Sequence, residues 1–307
     1  MAKTVRNRGV DLRSMDTAAM EVWPGPMEGV GREDFVRAAS SLRLVDRWMT
    51  PFFRLSETLP PDRKLRRFAQ EYFASGLPVT LQLMGDDPEL LGRAGARLLE
   101  LTPAVSIDLN LGCPSSRVIR NGAGGGLLKT PEKVADFCAA TGASIPAAKL
   151  SVKLRSGFSS ARDMEIFLPK LAASGAVSKI FLHYRTVEEA YSAAPLAERA
   201  GRLAEAVKLA VPLPVIANGD IRTPEEAAEL VAVTGCAGVM IARPWMRDPF
   251  LLRRFKTGDC PDPETGREMF FAELLRQGAS GGHQIELAKM LWGADSPRFR
   301  EAIRDLG

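Results

Sequence analysis

Short β-rich runs recur along this 307-residue chain, eight times over, at residues 22–28, 46–53, 78–85, 105–112, 149–157, 179–186, 214–221 and 238–243. Between most of them lie Ala-, Leu- and Glu-rich segments with helical periodicity, such as DPELLGRAGARLLEL and TPEEAAELVAVTG. In the second, Thr223 is placed to cap a helix that opens on Pro224. A strand and a helix alternating every ~30 residues, eight times, predicts an α/β fold, a (β/α)8 TIM barrel spanning residues 21–243. A doubly wound open sheet is the competing arrangement, but no GxGxxG turn follows the first run. Residues 244–307 carry no strand signal. GREMFFAELLRQG and HQIELAKMLWG have apolar residues at helical spacing, which predicts a small C-terminal helical domain entered through the Gly/Asp/Pro-rich stretch KTGDCPDPETG. Residues 1–20 read as a polar N-terminal extension.

The apolar share is 46% and the charged share 25%, with no apolar run long enough to cross a bilayer. No membrane association is expected. The N-terminal segment lacks the apolar core of a secretory signal. Cys113, Cys138, Cys236 and Cys260 are far apart and form no CxxC pair, so neither a metal site nor a disulfide framework is expected, and a cytoplasmic location is. The net charge of +4 is mild, but its distribution is uneven. Residues 43–67 carry seven Arg or Lys against few acids, and Arg117, Arg120, Lys129 and Lys133 follow Cys113. Such a surface either meets phosphates or is a solvated face.

Barrel enzymes place their chemistry at the C-terminal ends of the strands. Read in order, those ends carry Met27 and Glu28, then Gln82, then Asn110 and Cys113, then Lys153 and Arg155, then His183 and Arg185, then Asn218, Gly219 and Asp220, and finally Arg243. Any one of these has a structural explanation; Lys153 could snorkel and His183 could be a satisfied core histidine. Their coincidence at one end points to a site. NGD (218–220) and AR (242–243) fall where such barrels bind phosphate, with small residues exposing backbone N–H groups and Arg243 adding charge. Lys153 would point into the mouth, able to stabilise negative charge on a bound ring. The stretch GCPSSRVIRNGAGGG sets a thiol at a strand end and follows it with glycines, which suggests a loop free to swing.

PGPMEGV, LQLMG, DLNLGCPSSRVIRNGAGGGLLKTPE, SVKLRSG, LHYRTVEEAYS, PVIANGDI and TGCAGVMIAR, in that order, resemble the tRNA-dihydrouridine synthases, flavin enzymes that reduce uridine in tRNA. NGAGGGLLK and TGCAGVMIAR look most like the bacterial subfamily acting on position 16 of the D-loop. The resemblance implies an FMN-binding barrel with a helical RNA-binding domain, NADPH as reductant, and tRNA as partner, with the enzyme acting as a monomer. Pro26 and Met27 match the flavin-contacting first strand, Gln82 and Lys153 the contacts to the isoalloxazine, and His183 a flavin-contacting histidine. Asn218, Gly219, Asp220, Ala242 and Arg243 match the phosphate grip. Asn110 matches a substrate-side asparagine, and Cys113 the proton donor to uridine C5. Arg117, Arg120, Arg155, Arg185 and Lys289 are expected on the RNA side, as are the bases of residues 54–67, taken to lie by the barrel mouth.

The sequence departs from the family where alanine stands at 242, proline at 244 and tyrosine at 184, usually glycine or small residues. Two other functions stay open at this point. One is an FMN-dependent reductase of a small pyrimidine or enone; the other is a catalytically silent barrel that binds flavin or RNA.

Overall fold

The computed structural model describes residues 20–192 and 194–304. The expected extension over residues 1–20 therefore lies, apart from Met20, outside the described residues. Among the described residues nine strands form one all-parallel sheet: β1 (Glu21–Pro24), β2 (Trp48–Met49), β3 (Phe53–Arg54), β4 (Val79–Met84), β5 (Ser106–Leu111), β6 (Leu150–Arg155), β7 (Lys179–His183), β8 (Val215–Asn218) and β9 (Gly238–Ile241). Their order is β1-β9-β8-β7-β6-β5-β4-β2, with β3 also paired to β4. β2 and β3 are thus two pieces of one stave, broken at Pro51, which has no N–H for the ladder. This is a nearly closed TIM barrel of eight staves, as the strand spacing requires.

Six of the eight staves fall within their expected runs; β1 begins one residue before its run, at Glu21, and β3 ends one residue beyond its run, at Arg54. The first is shorter than expected. The amide of Gly25 still donates to the Ile241 carbonyl at 2.7 Å, but Pro26 cannot continue the pattern. Met27 and Glu28 consequently sit in the turn beyond β1. The strands are buried on both faces, as parallel strands wrapped by helices must be. Trp23, Met49, Phe181, Ile216 and Met240 form a separate apolar plug inside the barrel, where Trp23 meets Phe181 edge-to-face at 5.0 Å.

Helices start where their caps dictate. The Asp87 side chain accepts from the Leu90 amide at 3.0 Å ahead of the helix Pro88–Leu101. Thr223 does the same for Glu226 at 3.1 Å ahead of Pro224–Thr234, as expected. Among the described residues, no helix is long and apolar enough to cross a membrane.

Beyond β9 the described residues form helices joined by short connections: Arg243–Arg247, Leu251–Arg254, Pro263–Arg276, Gly281–Trp292 and Pro297–Arg304. These helices share one continuous apolar core with the barrel. Its joint is Phe35, on the helix Glu33–Ser41, which meets Trp245 and Phe270 edge-to-face at 5.4 Å each and Trp48 at 6.4 Å. Nearby, the fully buried His283 ring sits with Nδ1 2.7 Å from Asp34 Oδ2 and Nε2 3.2 Å from the Val30 carbonyl.

Phe35→Ala should cost about 3–5 kcal/mol, the usual loss for a large buried aromatic. Because Phe35 bridges barrel and tail, chemical denaturation should remain a single transition at a lower midpoint. A separate early transition of the tail helices would contradict the shared core.

Candidate active site

Parallel register sets the site. Gln82, Asp108 and Ser151 are direct ladder neighbours on β4, β5 and β6. One inward step toward the C-terminal end, Asn110 pairs with Lys153. Residues two apart share a face, so these five side chains enter the barrel in two stacked rows. Above them opens a cavity of about 330 Å3 at the C-terminal ends of the strands. Gln82, Asn110, Cys113, Lys153, Arg155 and His183 all line it, as do Pro26 and Met27 on the opposite side.

Lys153 forms no hydrogen bond or ion pair among the described residues and faces the cavity. Burial, helped by Arg155, lowers its pKa to about 8, so the amine is mainly charged at neutral pH. Asp108 is fully buried, and burial raises its pKa to about 6 against the hydrogen bonds from Gln82 and Ser151. Burial and the surrounding cations push His183 well below its ordinary value, so the ring is neutral. Its Nδ1 accepts from the Arg185 amide at 3.3 Å, which leaves the hydrogen on Nε2.

Cys113 lies two residues past β5. Asn110 Oδ1 accepts from the Gly112 and Cys113 amides at 3.1 and 3.0 Å. The Cys113 carbonyl in turn accepts from the Gly125 amide at 3.0 Å. The following glycines overturn the expectation of a swinging loop. Gly124, Gly125 and Gly126 are buried in a short 3-10 helix, Gly124–Lys129. A methyl group on Gly124 would stand 2.8 Å from Val118 and 3.1 Å from the Cys113 Cβ; one on Gly125 would stand 2.9 Å from the Cys113 carbonyl oxygen. These glycines serve close packing against the cysteine. Arg155 adds a brace: its guanidinium donates to the carbonyls of Gly112, Thr186 and Ala190 at 2.8–3.0 Å, tying the loop after β5 to the loop after β7.

Across the cavity, the amides of Gly219, Asp220, Ala242 and Arg243 have no hydrogen-bond partner among the described residues. With the Arg243 side chain they make a cradle that could hold an anion. The Asp220 carboxylate does not oppose it, being paired with Arg185 and Arg243 and bonded to the Tyr184 hydroxyl at 2.8 Å. The Asn218 side chain ties β8 to β9 through the Met240 carbonyl at 2.8 Å. Two of the three departures from the family pattern, Ala242 and Tyr184, are accommodated by glycine. A Cβ on Gly25 would lie 2.6 Å from that of Ala242, and one on Gly219, whose φ is +120°, 2.7 Å from the Tyr184 ring.

The basic residues divide. Arg117 and Arg120 are exposed on the helix Ser116–Arg120, just past Cys113, without side-chain partners among the described residues. Arg185 is 2% exposed and held by Asp220, so it supports the cradle from behind. Arg54 ends β3 opposite Met84, at the C-terminal end of the sheet, so the expectation that residues 54–67 lie by the mouth is corrected only for the helix over residues 62–67. After β3 the chain turns down the outside of the barrel. The helix Asp62–Arg67 packs on Pro88–Leu101, with Asp62 paired to Arg97 and Arg66 bonded to the Leu101 carbonyl at 3.2 Å, near the opposite end. A second depression, of about 560 Å3, continues from the cavity through Tyr191, Asp220, Arg243 and Pro244 toward the tail helices. It carries Arg222, Arg247 and Lys289. Two residues escaped the sequence reading. Asp108 was signalled by the alternation of SIDLNL, which turns it inward with Asn110. Tyr191, 60% exposed between Arg155 and Arg243 at the rim, had no periodic signal.

Gly125→Ala should destabilise the protein by about 1–3 kcal/mol, the usual cost of overpacking, and should shift the Cys113 backbone. Denaturation measures the first effect and the rate of Cys113 alkylation the second. An unchanged alkylation rate would mean that the glycines do not set the position of the cysteine.

Comparison with known proteins agrees with this geometry. The family model described as dihydrouridine synthase matches residues 25–280. The tRNA-dihydrouridine(16) synthase of Ralstonia nicotianae is 36% identical, over 75% of this chain and 71% of its own. Those of Yersinia pestis and Escherichia coli are each 31% identical, covering 92% of both chains and 88% and 87% respectively. Among solved structures, a variant of NCR from Zymomonas mobilis (TM-score 0.53, 15% identity, 76% of this chain and 85% of that one) and the old yellow enzyme from Trypanosoma cruzi (TM-score 0.53, 9% identity, 83% and 93%) share the fold. With its barrel, its cysteine-bearing mouth and this match over most of its length, the chain belongs to the dihydrouridine synthase family.

Proposed function

We propose that the protein reduces the C5=C6 bond of uridine 16 in the tRNA D-loop, with FMN as cofactor and NADPH as reductant. The observation that carries this reading is the juxtaposition, in one cavity, of a fixed thiol, a cationic lysine and a partner-free anion cradle. The residues fit FMN. The amides of Gly219, Asp220, Ala242 and Arg243 would hold a phosphate, and Lys153, Gln82 and His183 Nε2 would meet the polar edge of the ring. Pro26 and Met27 would supply the apolar side. When bound and reduced, FMN supplies the hydride that uracil C6 requires.

The chain supplies the rest. Cys113 Sγ–H gives its proton to C5 as general acid, and solvent restores the thiol. Asn110 and the packed glycines hold that atom in place. The cationic Lys153 favours negative charge on a bound ring. Tyr191, exposed at the rim, offers a face on which a flipped base or its neighbour can stack. The basic groove beyond it gives the RNA backbone a path. The position-16 assignment is supported by the names of the similar proteins.

Cys113→Ala should leave NADPH-driven flavin reduction nearly intact and slow re-oxidation by tRNA by about 10²–10⁴-fold, the usual worth of a placed general acid. Equal loss in both half-reactions would make Cys113 structural.

The same reading places the phosphate contacts in the groove. Arg222, Arg247 and Lys289 are exposed and have no side-chain partner among the described residues. Replacing all three by alanine should flatten the salt dependence of tRNA binding by about two to three units of slope, near one per contact. Replacing Arg63, Lys64, Arg66 and Arg67 on the flank should leave it unchanged. Salt titrations of both variants decide this, and equal reduction of free uridine would favour the small-substrate reductase instead.

A further inference from the structure

We propose that Asp108 is a positioning residue for Cys113, acting through the side chains of Gln82 and Asn110. Its consequence for catalysis rests on the function proposed above; its structural half stands on geometry alone.

The chain of hydrogen bonds has a fixed direction. At its upper end, the Gly112 and Cys113 amides are donors in every state of the protein, and both point at Asn110 Oδ1. Asn110 has only one oxygen, so its amide nitrogen must face elsewhere; it donates to Gln82 Oε1 at 2.9 Å. The Gln82 amide nitrogen must then face an acceptor, and it donates to Asp108 Oδ2 at 2.8 Å. Inverting Asn110 would set hydrogen against hydrogen at the cysteine turn, and inverting Gln82 would set its NH2 against that of Asn110 and its oxygen against the Asp108 carboxylate. Only a group that presents a lone pair to Gln82 can end the series. Asp108 does so as the strong acceptor, beside the weak one that the Met49 thioether offers to the same nitrogen at 3.6 Å, while its Oδ1 accepts from the Ser151 hydroxyl at 2.7 Å.

Asp108 is an expensive way to fill this space. It is fully buried and has no ion pair among the described residues. A carboxylate in that setting costs stability, in line with its raised pKa. Elsewhere in the barrel interior Trp23, Met49, Phe181, Ile216 and Met240 pack as an apolar plug without such a cost. A group retained against stability at the foot of a directed hydrogen-bond series is accounted for by what the series holds.

The test compares Asp108→Val with Asp108→Asn. Asparagine can offer Oδ1 to Gln82 and its amide nitrogen to Ser151 Oγ, which keeps the direction; valine cannot. The first readout is alkylation of Cys113 by iodoacetamide in the purified protein, mapped by mass spectrometry against Cys260, which lies in the tail as an internal standard. In Asp108→Val the Cys113-to-Cys260 labelling ratio should rise about tenfold, the worth of one net hydrogen bond. The tRNA-dependent half-reaction should slow by about 10–100-fold, as small misplacements do, with NADPH-driven flavin reduction far less affected. Asp108→Asn should stay within about twofold of wild type in both, since the acceptor remains. If Asp108→Val does not fold, Gln82→Met cuts the same series one link later and carries the same labelling expectation. Unchanged labelling in the cut variants, or equal damage from asparagine and valine, overturns the proposal. If labelling responds as expected but even the wild type leaves tRNA unmodified, the positioning role stands and the proposed reaction falls.

Discussion

The parallel ladder joining β4, β5 and β6 is the constraint on which the site depends. Side chains alternate between faces along a strand, so register decides which residues meet inside the barrel. With Gln82 opposite Asp108 and Asn110 opposite Lys153, the polar groups stack inward while Leu81, Leu83, Ile107, Leu109, Val152 and Leu154 turn outward into the helical layer. A slip of one residue would exchange the two sets. It would bury four charged or amide groups against the helices and fill the cavity with aliphatic side chains. The apolar outer face therefore enforces the polar inner one, and stability and function are written into the same alternation.

Much of this was readable beforehand. Eight strand–helix periods gave the architecture, and the strand ends gave the cavity walls from Gln82 to Arg243, because barrel topology alone brings those ends together. The errors have a common physical origin. Glycine near Cys113 reads as freedom in a sequence, yet its other property, the absence of a Cβ, is what the packing uses. Whether a glycine loosens or tightens depends on neighbours such as Val118 and Val187, which lie elsewhere in the chain. The same holds for residues 62–67. Their charge was plain, but which end of the barrel they occupy depends on Asp62 finding Arg97 and Arg66 finding the Leu101 carbonyl, contacts across about 35 positions that no local pattern encodes.

Two departures from the family pattern show how a cradle tolerates change. The Ala242 methyl meets the bare backbone of Gly25, and the Tyr184 ring lies against the bare backbone of Gly219. In both places bulk on one strand is matched by its absence on the next. The amide donors, being backbone, are left where they were. Recognition built from main-chain groups survives side-chain drift that would remove a cradle of serines or lysines.

The Arg155 brace has a further consequence. By fastening the loop after β5 to the loop after β7 through three carbonyls, it settles the shape of the mouth when the protein folds. The entropy of ordering those loops is then charged to folding, and none of it is subtracted from substrate affinity. A rim that does not adapt leaves adaptation to the visitor. In the proposed reaction the nucleic acid is the partner that must change shape, unstacking its base to reach a cavity already formed. Discrimination between uridines then depends on how readily each can leave its stack, a property of the RNA fold as much as of the protein.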